Sequence, residues 1–473
     1  MTRNLPAVTA KSTVKRAERQ SLLDRLARRL SGAWQDIAGD EVPISKSDIA
    51  KLRAQVGECL NGPGGEVSAR VRAAKLGRDY LALSAEGRAA FLRMLAIEFG
   101  GDDETTRQSA QALLAADTDA TRQAARRALR QSLEPPRVRL LRQFNALPEG
   151  VKFLVDMRAE IMALAKRDKA FAALDDELLD LLRSWFDVGF LELRRITWNA
   201  PATLLEKLIA YEAVHEIQSW DDLKNRLASD RRCFAFFHPR MPDEPLIFVE
   251  VALVKGLAGN IQTLLDPAVP VLNPAKADTA IFYSISNAQK GLAGISFGNF
   301  LIKRVVDVLS GEFRNLKTFA TLSPIPGFCD WLRKKPGDEL LRAAERKALP
   351  KRKDDDQHPL SLIKNPEWHK NEFLAAALKT PFERLCAQYL LNEKRADGYA
   401  LDPVAHFHLT NGARIERINW LADVSPNGLA QAAGLMVNYL YISDEIDKNH
   451  ETYSGEKVAL GSSAVRALAK SQR

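Results

Sequence analysis

Apolar residues recur every three or four positions from about residue 18 to residue 180, as in Leu22, Leu23, Leu26, Leu30, Trp34 and Ile37, with almost no strand-like alternation. This spacing predicts an all-helical region. Asn61-Gly62-Pro63-Gly64-Gly65, Gly100-Gly101 and Glu134-Pro135-Pro136 punctuate it as interhelical turns, dividing it into roughly six to eight helices. Near Trp185 the pattern changes: Trp185, Phe186, Phe190 and Trp198 cluster, and short β-rich runs follow. Strands are predicted at 232–237, 246–254, 279–286, 317–322 and 434–442. Asn411-Gly412, between HFHLT and ARIERINW, reads as a two-residue hairpin turn. A helix over 299–310 carries Leu301, Val305, Val308 and Leu309 on one face, and two more are predicted at about 370–379 and 381–392, with Thr380 capping and Pro381 in the first turn. The charged stretch 344–369 reads as a surface loop or disordered excursion. The predicted architecture is α followed by α/β: a helical domain over 1–185, then a mixed-sheet domain over 186–473.

Composition narrows the function classes. The chain has 473 residues, 46% hydrophobic and 27% charged, which suits two or three cored domains and excludes a disordered protein. Its most apolar run, 246–254, is short and contains Glu250, so no membrane span is expected. A net charge of +8 favours an anionic partner. Segment 104–143 holds eight Arg against four acids, but without interleaved aromatics for base stacking it reads as solvated helix surface, and no nucleic-acid partner is expected. Cys59, Cys233, Cys329 and Cys386 lie far apart with no CxxC spacing, as free thiols do in a reducing compartment. The acid-free start, with Arg3, Lys11, Lys15 and Arg16 before Glu18, reads as a loose basic tail rather than a targeting segment.

Three constellations carry candidate chemistry. QKGLAGISFGN (289–299) lies between a strand and a helix, so Gly291, Gly294 and Gly298 would let backbone N–H groups approach a phosphate at a helix N-terminus. It is neither a Walker A nor a dinucleotide fingerprint; its Q-x-G-x-x-G spacing resembles the pyrophosphate loop of the GNAT acyltransferases. Ser323-Pro324-Ile325-Pro326-Gly327 is a rigid turn at a strand end, where α/β sheets place ligands, but with no GxSxG elbow and no Ser-His-Asp spacing the residues alone favour a turn serine bonding its own backbone. In HFHLTNG (406–412), His406 and His408 would share one face of a strand. With no third ligand nearby, a single histidine donating a proton is preferred to a metal pair.

Together the segments 244–265, 280–306, TLSPIPGFCDWL (321–332), GYALDPVAHFHLTNGA (398–413) and INWLADVSPNG (418–428) resemble the malonyl-CoA decarboxylase family, in order and over most of 195–445. The resemblance implies a GNAT-like catalytic domain behind a helical oligomerisation domain, converting malonyl-CoA to acetyl-CoA and CO2 without metal or organic cofactor. By the same resemblance Ser323 and His408 match the catalytic serine and histidine, and Ala293, Gly294, Ile295, Ser296, Phe297, Gly298 and Asn299 match the coenzyme A segment. Ser284 and Tyr441 fall where malonyl contacts are expected. Ser296 stands where animal-type members carry a glutamate, so no role for that acid transfers. The chain ends without Ser-Lys-Leu, which leans towards a bacterial cytoplasmic enzyme, expected as a dimer or tetramer. An acyl-CoA-dependent N-acyltransferase is the rival enzyme, since the same loop serves both, and a basic nucleic-acid-binding or scaffold protein is the non-enzyme rival.

Overall fold

The computed structural model describes residues 46–295, 300–350 and 358–470. The predicted first helix around Leu22–Ile37 lies outside them, as do the basic start and Ser296, Phe297, Gly298 and Asn299.

Among the described residues, eight helices precede the sheet: α1 (Lys46–Asn61), α2 (Glu66–Leu81), α3 (Ala85–Glu98), α4 (Asp103–Leu114), α5 (Asp119–Ser132), α6 (Pro136–Asn145), α7 (Gly150–Ala165) and α8 (Ala172–Trp185). Their starts follow local chemistry. Ser84, Asp102 and Thr118 cap α3, α4 and α5 through side-chain oxygens that accept the otherwise unpaired N–H groups of the first turn. Helix α8 buries Leu174, Leu178, Leu181 and Leu182, one stripe at helical spacing. The α4–α5 hairpin, by contrast, buries no residue. Several arginines of 104–143 are paired rather than free: Arg107 meets Glu104, Arg142 meets Glu134, and the buried Arg137 bonds Glu177.

One mixed sheet follows. Its strands are β1 (Glu192–Ile196), β2 (Arg231–His238), β3 (Met241–Val254), β4 (Thr279–Asn287), β5 (Thr318–Thr321), β6 (Ser323–Pro324), β7 (Arg414–Asn419) and β8 (Met436–Tyr441). β1 to β4 are antiparallel neighbours and β5 joins β4 in parallel. β8 then pairs with β5 and, further along, with β6, and also with β7. The helix joining β4 to β5 is α10 (Phe300–Glu312), while α9 (Ala202–Tyr211) lies between β1 and β2.

Two irregularities shape the centre of the sheet. Pairing of β4 with β5 runs from Thr279–Thr318 to Phe282–Thr321, after which β4 continues to Asn287 without that neighbour. The strands part there. Glu250 of β3 faces Ser284 of β4 but Val251 faces Phe282, so Tyr283 is an extra residue on β4 that turns Ser284 to the face opposite Phe282. Phe282, Val249 and Val251 belong to the large core that continues into α1–α3 and α6–α8, including Phe91, Phe144, Leu154 and Leu178. Cys233, Ala235 and Phe248 form a smaller core under α9 on the other face.

The structure corrects three expectations. Residues 370–392 form one helix, α11 (Glu372–Asn392), with Pro381 inside it rather than a break at Thr380. An internal proline costs about 3 kcal/mol, and the burial of Leu378, Phe382, Leu385, Tyr389 and Leu390 on that helix offsets it. HFHLT is helical, in α12 (Pro403–Thr410), because Asp402 caps it and Pro403 occupies its first turn. Asn411-Gly412 is then the end of this helix, with Gly412 at φ 78°, the left-handed value a helix C-terminus favours, and not a hairpin turn. Within 344–369, Ala343–Ala348 is helical, Pro359–Ile363 and Trp368–Lys370 are single 3-10 turns, and Trp368 is buried against Trp420, so this segment is largely structured; 351–357 lies outside the described residues.

The helices and the sheet meet tightly at the start of the glycine loop. Arg158 of α7 is buried, ion-paired to Asp175, and donates to the carbonyls of Gly291 (2.6 Å) and Ala293 (2.7 Å). Gly291 sits so close to α7 that a Cβ would overlap the Val155 carbonyl oxygen. This glycine therefore serves close packing, not approach to an anion. Gly291→Ala is expected to destabilise the protein by about 1–3 kcal/mol through overpacking, read as a lower denaturation midpoint; an unchanged midpoint would show that loop and helix can separate freely.

Candidate active site

The end of β5 leads directly into the predicted serine turn. Thr321 and Ser323 flank the buried Leu322, so both side chains point to the face of the large core. Leu322 N–H still reaches the Phe282 carbonyl (3.0 Å), the last link before β4 and β5 diverge. Asn438 Nδ2 donates to the Thr321 carbonyl (2.6 Å) from β8, fixing the backbone where the strand kinks. Ser323 therefore stands beside the opening between two parallel strands.

His408 meets it from α12. Its Nε2 is 3.0 Å from Ser323 Oγ and its Nδ1 is 2.8 Å from the Tyr441 hydroxyl on β8. The imidazole also stacks on Tyr439, with ring centres 4.4 Å apart and planes 26° apart. Ser323, Thr321, His408, Tyr439 and Tyr441 are all buried. Thr321 Oγ1 accepts from the Ser323 hydroxyl (2.8 Å) and from the Tyr439 backbone N–H (3.1 Å). Thr321 and Tyr439 were not singled out from sequence, although each lies two residues from a candidate on a strand, the spacing that puts both on one face.

Because the histidine segment is helical, successive alternate residues diverge. His406 turns to Tyr453 (Nδ1, 3.0 Å) and Arg395 (Nε2, 3.2 Å), away from Ser323. The shared-face arrangement expected of His406 and His408 is thus corrected. Among the described residues no group of three or more His, Cys, Asp or Glu side chains could hold a metal ion.

Asp402 joins the two halves of the site. Its carboxylate caps α12 by accepting from Val404 N–H (3.0 Å) and Ala405 N–H (2.8 Å) and receives the Tyr389 hydroxyl (3.3 Å), while the Gly327 N–H at the end of the serine turn lies near enough to favour its charged form. A side chain at 327 would overlap the Tyr389 hydroxyl, so glycine is required for this approach. Burial pushes the Asp402 carboxyl up to about 6, with the backbone donors opposing.

Ser284 and the glycine loop sit apart from this line. Turned by the bulge at Tyr283, Ser284 donates to both oxygens of Glu212 (2.9 and 2.7 Å), where Ser286 also reaches the carboxylate (3.3 Å). Glu212 in turn accepts from the N–H groups of Val214 and His215. No hydrogen bond joins this cluster to Ser323 or His408 among the described residues. Ala293 and Gly294 are exposed, Ile295 is half-buried, and Gly294 has φ 83°. The rest of the predicted coenzyme A segment lies outside the described residues.

Desolvation alone pushes the His408 imidazole down to about 3, so it is neutral at physiological pH. The unfolded chain protonates a histidine below about 6.5, so acidification from that pH towards 3 favours unfolding through this residue, by up to about 1.4 kcal/mol per pH unit. The ring ¹⁵N shifts of His408 are expected to stay constant from pH 8 to below pH 5; a midpoint near 6.5 would show that water reaches the imidazole.

Comparison with known proteins identifies the family. Residues 189–473 match the malonyl-CoA decarboxylase C-terminal domain and residues 99–186 match the malonyl-CoA decarboxylase N-terminal domain. The mitochondrial malonyl-CoA decarboxylase of Anser anser anser is 39% identical over 407 residues, covering 82% of this chain and 81% of its own length. That of Rattus norvegicus is 40% identical over 72% of each chain. Among solved structures, malonyl-CoA decarboxylase from Rhodopseudomonas palustris superimposes with a TM-score of 0.81 at 44% identity, over 88% of this chain and 99% of its own. The one from Agrobacterium vitis gives a TM-score of 0.78 at 40% identity, over 89% and 99%. With a domain match across more than half its length and close relatives spanning most of it, the chain belongs to the malonyl-CoA decarboxylase family.

Proposed function

We propose that this chain decarboxylates malonyl-CoA to acetyl-CoA and CO2, with Ser323 and His408 as the catalytic residues. The observation that carries the reading is the buried line Tyr441–His408–Ser323 beside the opening between β4 and β5. Breaking the bond to the carboxylate carbon releases CO2 and leaves its electron pair as a thioester enolate. The site must therefore stabilise negative charge on the thioester oxygen and return one proton to the α-carbon. The Ser323 hydroxyl donates to a substrate oxygen, and a donor aimed at developing oxyanion charge contributes on the order of 3 kcal/mol in such a site. His408 supplies the proton to carbon and Tyr441 supports it through Nδ1.

The same placement supports a GNAT-like reading of the sheet, with parallel strands that diverge and a glycine loop following β4. Coenzyme A is assigned to the loop at 293–299, and Ser284 lies on the part of β4 beyond the divergence, along the expected path of the acyl group. Self-association through the helical layer is supported by the α4–α5 hairpin, which exposes Leu114 and Leu133 at its ends. Among the described residues no helix is long and apolar enough to cross a membrane.

The test is CO2 and acetyl-CoA release from malonyl-CoA by chelator-treated protein. Ser323→Ala and His408→Gln are each expected to lower kcat by about 10²–10³ with the fold intact by circular dichroism. Near-normal turnover of Ser323→Ala would remove the serine from the mechanism. A folded, coenzyme A-binding protein without turnover would favour acyl transfer to an amine.

A further inference from the structure

A serine hydroxyl has one hydrogen to give. In this structure Ser323 gives it to Thr321 Oγ1 at 2.8 Å, an oxygen wholly shielded from solvent. Ser323 Oγ can then stand only as acceptor towards His408 Nε2, 3.0 Å away. A neutral imidazole carries a single N–H, and burial keeps His408 neutral. If that N–H lies at Nε2, Nδ1 is bare and accepts from the Tyr441 hydroxyl at 2.8 Å. The donors therefore run in one direction, from Tyr441 to His408 to Ser323 to Thr321.

We propose that Thr321 is a positioning residue that sets this direction, holding His408 as the Nε2–H tautomer with its proton aimed at the Ser323 side of the site. Tyr439 assists from two sides, through its backbone N–H on Thr321 Oγ1 and its ring on the imidazole. The role in turnover rests on the decarboxylase reading. When a substrate carboxylate or thioester oxygen arrives, the Ser323 hydrogen rotates from Thr321 to that oxygen, exchanging a neutral acceptor for a charged or charging one, which binds about twice as strongly. Ser323 Oγ goes on accepting from Nε2–H meanwhile. The proton thus stays on the Ser323 side of the ring before the substrate is in place. Were the direction reversed, Ser323 would donate to Nε2 and the imidazole would hold its hydrogen against Tyr441, on the side away from the serine.

The experiment is ¹⁵N spectroscopy of the His408 ring in the full-length protein without substrate, assigned with His408→Gln, beside kinetics on malonyl-CoA. The wild type is expected to show a protonated Nε2 and a bare Nδ1. Thr321→Val removes the acceptor; the serine hydrogen should then turn to Nε2, the ring should switch to Nδ1–H, and kcat should fall about tenfold or more with KM changed less than about twofold, as general-acid contributions of 10²–10⁴ allow. Thr321→Ser should restore both the tautomer and the rate. The valine also leaves the Tyr439 N–H unpaired, a structural cost that would lower stability without moving the hydrogen between ring nitrogens. A wild-type Nδ1–H ring, or a Thr321→Val ring that stays Nε2–H, overturns the inference. The tautomer is read without turnover, so a protein that shows the expected switch but no decarboxylation would count against the proposed function alone.

Discussion

The Asp402 carboxylate is the single buried anchor on which the geometry of the site depends. Three donors bond to it, two N–H groups of the first turn of α12 and the Tyr389 hydroxyl, and the Gly327 N–H of the serine turn favours its charge. Ser323 and His408 are 85 residues apart in the chain and come from a kinked strand and a short helix. Neither element would hold a 3 Å relationship alone. One carboxylate bonded to the helix start and packed close to the turn at Gly327 holds the two backbones near each other, and hydrogen bonds to a charged acceptor are the stronger class. The cost is burial of a charge, visible in the raised affinity of Asp402 for a proton.

Dryness is the other constraint. The imidazole is stacked on Tyr439, walled by Tyr441 and shielded from water, and its charged form is disfavoured accordingly. Such surroundings strengthen every dipole aimed at a developing negative charge, because little solvent competes. They also mean that the His408 imidazole is neutral, with the Tyr441 hydroxyl at its Nδ1.

Much of this was legible in the sequence, and the gaps have physical causes. The central strands are continuous β-branched and aromatic runs, and β2 to β5 fall close to the predicted positions. The serine turn was visible because proline and glycine restrict the backbone whatever surrounds them. HFHLTNG was misread as half of a hairpin because Asn-Gly serves equally at a helix end, and the deciding signal, Asp402-Pro403 as cap and first residue, lies upstream. Pro381 did not end its helix because tertiary burial outweighed a local penalty. Ser284 shows a limit of pattern reading: one bulge residue, Tyr283, reverses the face of everything after it, and nothing in the spacing marks that residue. Thr321 and Tyr439 have ordinary strand identities, and only the folded pairing of β5 with β8 brings them to the histidine.

Arg158 gives the helical layer a part in events at the sheet. It belongs to α7, yet two of its N–H bonds end on carbonyls of the glycine loop more than 130 residues later. A displacement of α7 would pull on the loop backbone through these two bonds, because the guanidinium is buried and held by Asp175. Free-energy coupling is reciprocal. A change that rearranges α7 would therefore shift the loop by the same coupling energy with which an occupant of the loop would steady α7.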